Sequence, residues 1–452
     1  MKNWYPLKGV KQQGQIWSWI SYDVANQSFT LIINTLLFPV FFTHVVVANK
    51  DIDDTLWAVT YTASMLLTVA FSPIAGAIAD ERAWKKPMLI GTGLACGVLT
   101  CMLGLIAPGQ LWLAMLLYIP ANLLFSVGEN FLASFLPDLA QREQFGRVSG
   151  FSWGVAYAAA LVLLIITAAA MSLFHLKDAD HWRGFFVFAG LWFIAFTIPT
   201  IFILHERPLA TPARFGSGLI KSGFIRLGRT LKSIRQFRDL VVLLAASLLY
   251  GTGMSVVVFF ASILARDFGF TDVDLVLFIA VITVSGIIGT LVPTLIQDRL
   301  GHKNTTLLLL GVWILTASLL TVYAYIFQTA PASTPAWPLW VSGNLLGFGL
   351  GSLGSANRAF VGFLTPASRS GEFFGLWGMV FKLAAVCTIP FAIVKDNLGT
   401  AASLVVLTLF LIAGFIVTLF INEKRGALIA DGGGDASYPV PGPLPAPAES
   451  GP

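Results

Sequence analysis

Charge is scarce in this sequence. Asp, Glu, Lys and Arg make up only 11% of its 452 residues, whereas soluble globular domains carry about a quarter. That scarcity excludes an ordinary water-soluble domain. Cysteine is nearly absent too: Cys96, Cys101 and Cys387 all lie inside apolar stretches, without metal-like spacing and without a loop position for a disulfide. They read as small core residues. The histidines, His44, His175, His181, His205 and His302, sit at the ends of apolar stretches and in loops and do not cluster, so no dedicated metal site is expected. There is no His-Glu-x-x-His and no acidic pair fit for proteolysis within a membrane. An enzyme is therefore not expected, and neither is a cofactor. Gly349-Leu350-Gly351-Ser352-Leu353-Gly354 has the letters of a dinucleotide fingerprint, but it lies in an apolar stretch, where closely spaced glycines serve helix packing.

Hydrophobic residues are what the chain has in abundance, at 56%. A bilayer core takes about 20 apolar residues per helix. Twelve such stretches are legible, at about 16–44, 55–79, 88–107, 111–136, 148–173, 183–205, 239–265, 273–297, 305–328, 337–364, 372–394 and 399–421. The first has no small-residue cleavage site after it and is expected to be a retained helix. Lys and Arg concentrate in alternate loops: Lys2, Lys8 and Lys11, Arg82, Lys85 and Lys86, Arg142 and Arg147, then Arg299, Lys303, Arg369, Lys424 and Arg425. The positive-inside rule then expects both termini in the cytoplasm, with the short loops pointing to a bacterial inner membrane.

The segment 206–238 divides the chain. It is basic, holds Pro208 and Pro212, and repeats Ile220, Phe224, Leu227, Leu231 and Ile234 at helical spacing beside Lys221, Arg226, Arg229, Lys232 and Arg235. This pattern predicts an amphipathic helix on the anionic leaflet and no nucleic-acid partner. The tail, 423–452, is rich in Gly, Pro and Ala and is expected to be disordered. On either side of the linker, 1–205 and 239–422 carry matching signals. Asp80-Glu81-Arg82 with Lys85 and Lys86 follows the second span, and Asp298-Arg299 with His302 and Lys303 follows the eighth. Pro137, Glu143, Phe145 and Gly146 keep the mutual spacing of Pro366, Glu372, Phe374 and Gly375. A duplicated six-helix unit accounts for both repeats and predicts two bundles facing a central cavity.

These residues carry a resemblance. The acid-and-base turns after spans two and eight resemble the loop signature of the major facilitator superfamily. A narrower pattern runs from Tyr22-Asp23-Val24-Ala25-Asn26-Gln27-Ser28-Phe29 through Phe38-Pro39, Gly76-Ala77, Phe135-Leu136-Pro137 and Gly146-Arg147-Val148-Ser149-Gly150 to Arg358, Pro366, Glu372-Phe373-Phe374-Gly375, Lys382 and Pro390. It resembles the vacuole effluxer-like branch, whose fungal members are implicated in releasing amino acids from the vacuole. The resemblance implies an all-α membrane fold of twelve helices in two pseudo-symmetric six-helix bundles, and proton-linked or facilitated export of a small solute. Two positions depart from the branch pattern: Ala133 stands where an asparagine is usual, and Gly354 where a glutamine is frequent.

Four charges fall inside spans: Asp23 and Glu129 in the first half, Arg358 and Lys382 in the second. A charge in the hydrocarbon costs several kcal/mol, so its retention marks a functional candidate. Asp23, Asn26, Gln27, Thr30 and Asn34 share a helical face, Glu129 and Asn130 lie on the fourth span, and Tyr157 and Tyr250 add polar groups on the fifth and seventh. This set is the expected substrate or proton-coupling site. Three readings compete for the charges: acids and bases recognising a zwitterion, acid–base pairs between halves acting as a gate, or static pairing within each half. Asp80, Arg82, Glu143, Asp298, Arg299 and Glu372 are expected to act as loop latches. The expected function is a secondary transporter working by alternating access, for an amino acid or similar zwitterion and with a proton as a candidate coupling ion, acting as a monomer. An exporter of a siderophore, drug or organic anion is the rival within that class. A non-transporting receptor or an intramembrane enzyme is the rival outside it.

Overall fold

The structure is a computed structural model that describes residues 5–47, 53–176, 179–206, 234–270 and 272–432. It is all helical, with no strand among the described residues. The first half holds α1 (Gln13–Ser28), α2 (Asp53–Arg82), α3 (Lys85–Leu103), α4 (Leu111–Ser134), α5 (Phe145–Leu173) and α6 (Arg183–Ile203). The second holds α7 (Arg238–Asp267), α8 (Asp272–Leu300), α9 (His302–Thr329), α10 (Trp337–Leu364), α11 (Ser370–Val386) and α12 (Ile389–Leu419), followed by α13 (Glu423–Asp431). Of these, ten stretches are long and apolar enough to cross a bilayer, and α1 with its bent continuation to Val46 makes eleven. The expected twelfth span, α10, is 28 residues long, but Gly, Ser, Asn and Arg fill the positions it turns toward its neighbours, which lowers its apolar content.

Local chemistry sets the breaks. The chain after α1 continues as a π-helix over Phe29–Leu36, bends ahead of Pro39, and ends as a second π-helical turn at Phe42–Val46. Widened turns of this kind are rare and gather at functional sites. Within α12, Gly399 takes φ 85°, a conformation that only glycine adopts cheaply. The axis breaks there, so residues before it finish the eleventh span and Asn397–Leu419 forms the last.

Each half has its own apolar core. Trp19, Tyr22, Phe29, Phe38, Phe41, Tyr118 and Phe186 pack in the first, and Tyr250, Leu310, Trp313, Leu404 and Leu411 in the second. Leu66, Trp112, Leu116, Phe202, Leu319 and Leu409 are exposed on the perimeter. A belt of exposed apolar side chains on so polar-poor a chain is a surface for lipid rather than water. The halves meet along two repeat-related seams, α2 against α11 and α5 against α8, both built on close backbone approach. A Cβ on Gly76 would lie 2.1 Å from the Gly371 carbonyl oxygen, and one on Gly150 2.2 Å from Thr294 Oγ1. Without a hydrophobic driving force between helices in lipid, small residues at the contact are what allow tight packing.

The tail departs from expectation. Residues 423–431 are helical, because Asn422 caps the first turn by accepting from the Arg425 amide and the Glu-Lys-Arg-Gly-Ala-Leu-Ile-Ala-Asp run favours helix apart from one glycine. The Gly- and Pro-rich composition begins only at Gly432. Most of the predicted amphipathic linker helix, including Ile220, Phe224, Leu227 and Leu231, lies outside the described residues.

Candidate functional site

The four intramembrane charges form two ion pairs, and both join the halves. Arg358 of α10 donates from Nη1 to Asp23 Oδ2 of α1 at 2.8 Å. Lys382 of α11 reaches Glu129 Oε2 of α4 at 3.9 Å. Arg358 thus has Asp23, and not Glu129, as its direct partner. On a rise of about 1.5 Å per residue, Arg358 lies roughly 9 Å in from the end of α10.

The two pairs sit in different surroundings. Arg358 is 3% exposed and its donors are taken up by the first half. Nε donates to Ser149 Oγ and Nη2 to the Ser149 carbonyl, both at 3.0 Å. Its guanidinium lies 4.6 Å from the centroid of Trp19 and 5.7 Å from that of Trp153. Asp23 also accepts a hydrogen bond from Ser152 Oγ. A buried pair costs its desolvation and is held only by such complete hydrogen bonding. The Glu129 side chain is 40% exposed and that of Lys382 21%, so this pair faces accessible space at a stretched separation.

The other expected site residues distribute around these pairs. Gln27 is half-buried on α1, and Asn26 is buried with Oδ1 unpartnered among the described residues. Asn130 donates to Ser72 Oγ at 2.9 Å and packs on Gly378, whose added Cβ would meet it at 2.0 Å. Tyr157 lies beside Trp153 with the rings tilted by 34° and their centroids 6.0 Å apart. Tyr250 is fully buried in the second core, where its hydroxyl meets Ser247, which donates to Asn357 Oδ1. Its side chain lies against α12, where a Cβ on Gly414 would come 3.0 Å from the Tyr250 Cβ. Asn34, on the π-helical stretch, accepts from Tyr118 Oη at 2.9 Å and donates to Asn122 Oδ1 at 3.1 Å. Asn122 in turn donates to Ser64 Oγ, and in the second half Ser285 of α8 donates to Asn344 of α10.

The loop acids cap helices across the seams. Asp80, at the end of α2, accepts from the amides of Gly371 and Glu372 at 2.9 and 2.7 Å, the first turn of α11. Asp298, at the end of α8, accepts from the amides of Gly146 and Arg147 at 2.8 and 3.1 Å, the first turn of α5. A carboxylate on a helix N-terminus satisfies orphan amides and complements the helix dipole. Both caps lie at one end of the molecule, called here the latch face. Glu372 is fully buried and pairs with Arg369 at 3.1 Å. Arg82 lies 5.7 Å from the Trp84 ring centroid. Glu143 and Arg299 are exposed on the same face.

Several residues of this machinery escaped the sequence reading. Glu206 caps α3 through the amides of Lys85 and Lys86, both at 2.9 Å. Glu423 caps α9 through those of His302 and Lys303, at 3.0 and 3.1 Å. Burial pushes the Glu206 carboxyl above its ordinary range, against the pull of Lys85 and the two amides. Their signal was available: Glu206 and Glu423 each follow the last span of a half and precede a base. Lys85 bonds Asp138 in its own half and donates to Ser370 Oγ of the other. No cluster of three or more metal-ligating side chains occurs among the described residues.

Comparison with known proteins converges on one family. Residues 44–430 match the family described as vacuole effluxer Atg22 like. YxiO of Bacillus subtilis, an uncharacterized MFS-type transporter, is 26% identical over 425 residues, which cover 90% of this chain and 94% of that protein. Autophagy-related protein 22 of Kluyveromyces lactis is 22% identical over 394 residues, 81% of this chain and 79% of its own. Among solved structures, a bacterial homologue of the iron transporter ferroportin in an outward-facing state superposes with TM-score 0.67 at 15% identity, covering 92% of this chain and 99% of that one. The proton:xylose symporter XylE gives 0.67 at 12% identity, over 92% and 96%. The human organic anion transporter MFSD10 gives 0.66 at 13% identity, over 90% and 99%. At such identities the solved structures speak for the fold, and the sequence matches speak for the branch. The chain belongs to the vacuole effluxer Atg22-like family of major facilitator transporters.

Proposed function

We propose that this transporter moves an amino acid or a similar small zwitterion by alternating access, and that its two charge pairs divide the work. The observation that carries this reading is their difference in exposure. Arg358 and Asp23 are buried and bonded to one another and to Ser149 and Ser152, which suits a gate that holds the halves together. Glu129 and Lys382 are partly exposed and 3.9 Å apart, which suits an acid for an amine and a base for a carboxylate. A zwitterion entering between them replaces one stretched pair by two charge-assisted contacts. Opening of the seam would strip Asp23 of its partner, so Asp23 is the group positioned to carry a coupling proton.

The latch face is read as cytoplasmic. Arg142, Arg147, Arg238, Arg299, Lys303, Lys424 and Arg425 gather there, as the positive-inside rule requires. With Asp80 and Asp298 both engaged across the seams on that side, the conformation is outward-facing, the state named for the superposable ferroportin homologue. The test is counterflow in proteoliposomes. Expected is exchange of labelled for unlabelled solute with one or more amino acids, lost in Lys382→Ala. Exchange of organic anions with none of any amino acid would replace the zwitterion by an anionic substrate, and no counterflow at all would remove the carrier mechanism.

A further inference from the structure

We propose that the C-terminal helix α13 is a strap across the seam between the halves that slows opening of the latch face. The inference rests on the alternating-access reading of that face. Three observations place the helix. It is anchored on the second half: Arg425 donates from Nε and Nη2 to Asp239 of α7 at 2.7 and 2.8 Å, and the Asn422 amide donates to the same carboxylate at 2.7 Å. It is seated closely, because Gly426 lies so near the end of α10 that a Cβ there would come within 2.5 Å of Leu364. Its last turn then reaches the first half. Arg142, in the turn between α4 and α5, donates from Nη1 to the Ala427 carbonyl at 2.9 Å and pairs through Nε with Asp431 at 3.3 Å. The Arg142 guanidinium also covers the Phe363 ring of α10 at 5.8 Å.

The position of Arg142 gives the contact its consequence. Residues 142–144 form a single 3-10 turn leading into the α5 amides that Asp298 caps. The segment that must leave α8 when the seam parts is therefore held twice by the second half, once by the Asp298 cap and once by α13. Charge-assisted bonds to a carbonyl are worth more than neutral ones, whereas the Asp431 carboxylate is 66% exposed and screened. The strap thus acts mainly through the Ala427 carbonyl, and its loss should speed opening by roughly threefold to tenfold.

The experiment uses seam opening as its readout. In the full chain with Cys96, Cys101 and Cys387 replaced by alanine, Thr294→Cys places a thiol between α5 and α8, where Gly150 covers it. Its labelling rate by a hydrophilic maleimide is compared in four backgrounds: the parent, Arg142→Ala, a chain ending at Gly432 and a chain ending at Gly426. The chain ending at Gly426 keeps the Glu423 and Arg425 anchors and loses Ala427 and Asp431. Expected is labelling faster in Arg142→Ala and in the chain ending at Gly426, and unchanged in the chain ending at Gly432. Equal rates in the parent and Arg142→Ala would overturn the strap, and this variant decides alone if the shorter chain does not fold. Asp298→Ala separates the two readings: if it accelerates labelling while Arg142→Ala does not, the strap fails and the latch stands. If neither does, the opening of this seam fails with it.

Discussion

At the scale of single residues, the balance between burial and pairing decides what each charge can do. Arg358 is enclosed by Trp19, Trp153, Ser149 and Asp23, all from the opposite half. Among the described residues, removing it leaves Asp23 buried with only Ser152 donating to it. Arg358→Ala should therefore lower stability by about 3–5 kcal/mol, and Asp23→Asn in the same chain should recover part of that loss. Thermal unfolding of the detergent-purified variants measures both, and additive losses would contradict the pairing. Gly354 is explained at this scale as well. Trp153 occupies the place of its missing side chain, 2.5 Å from an added Cβ. Gly354→Gln should cost about 1–3 kcal/mol as overpacking, with recovery when Trp153→Ala makes room; no recovery would mean that the strain lies elsewhere. Composition and hydropathy identified the four charges, since few others stand inside apolar runs. They did not identify the partners, because helix rise gives depth, whereas pairing depends on how each helix is rotated and on the π-helical stretch after α1.

At the scale of elements, helix ends carry the conformational information. Asp80 and Asp298 each hold two amides of a helix belonging to the other half. Asp80→Ala and Asp298→Ala should each shift the population toward an open latch face by a similar amount, on the order of tenfold, because each strips two amides of a charged acceptor. Cysteine labelling in the α2–α11 and α5–α8 seams reports it, and a response to only one of the two would deny their equivalence. The repeated acid-and-base turns were legible in the sequence because the motif recurs with fixed spacing. The caps by Glu206 and Glu423 were not read, although Glu206-Arg207 and Glu423-Lys424 repeat at the close of each half. A glutamate among basic loop residues looks solvated until the fold folds its chain back onto another helix. The same blindness made residues 423–431 look disordered: what orders them is the anchor on Asp239, a contact between distant parts of the chain.

At the scale of the whole molecule, the architecture follows from two facts that sequence displays well, the length of the apolar runs and their duplication. Span α10 is the instructive exception. It is the helix that brings Arg358 into the opposite half and that packs on α8 through Gly347 and Gly351, and those duties dilute the apolar signal by which spans are recognised. The basic latch face is the ground for the proposed orientation. Cysteines placed at positions 215–225 of the linker should react only from the cytoplasmic side of intact cells, and reaction from outside would invert the topology.

The division of labour between the charge pairs is the central claim, and binding separated from transport tests it. Thermal shift of purified protein with amino acids, read alongside counterflow for the same variants, makes that separation, since a ligand of the folded state raises its apparent stability by mass action. Glu129→Gln and Lys382→Ala should fold, lose the ligand-induced shift and lose transport. Asp23→Asn should keep the shift while transport falls. A shift abolished by Asp23→Asn but intact in Glu129→Gln and Lys382→Ala would exchange the roles of the two pairs and contradict the account.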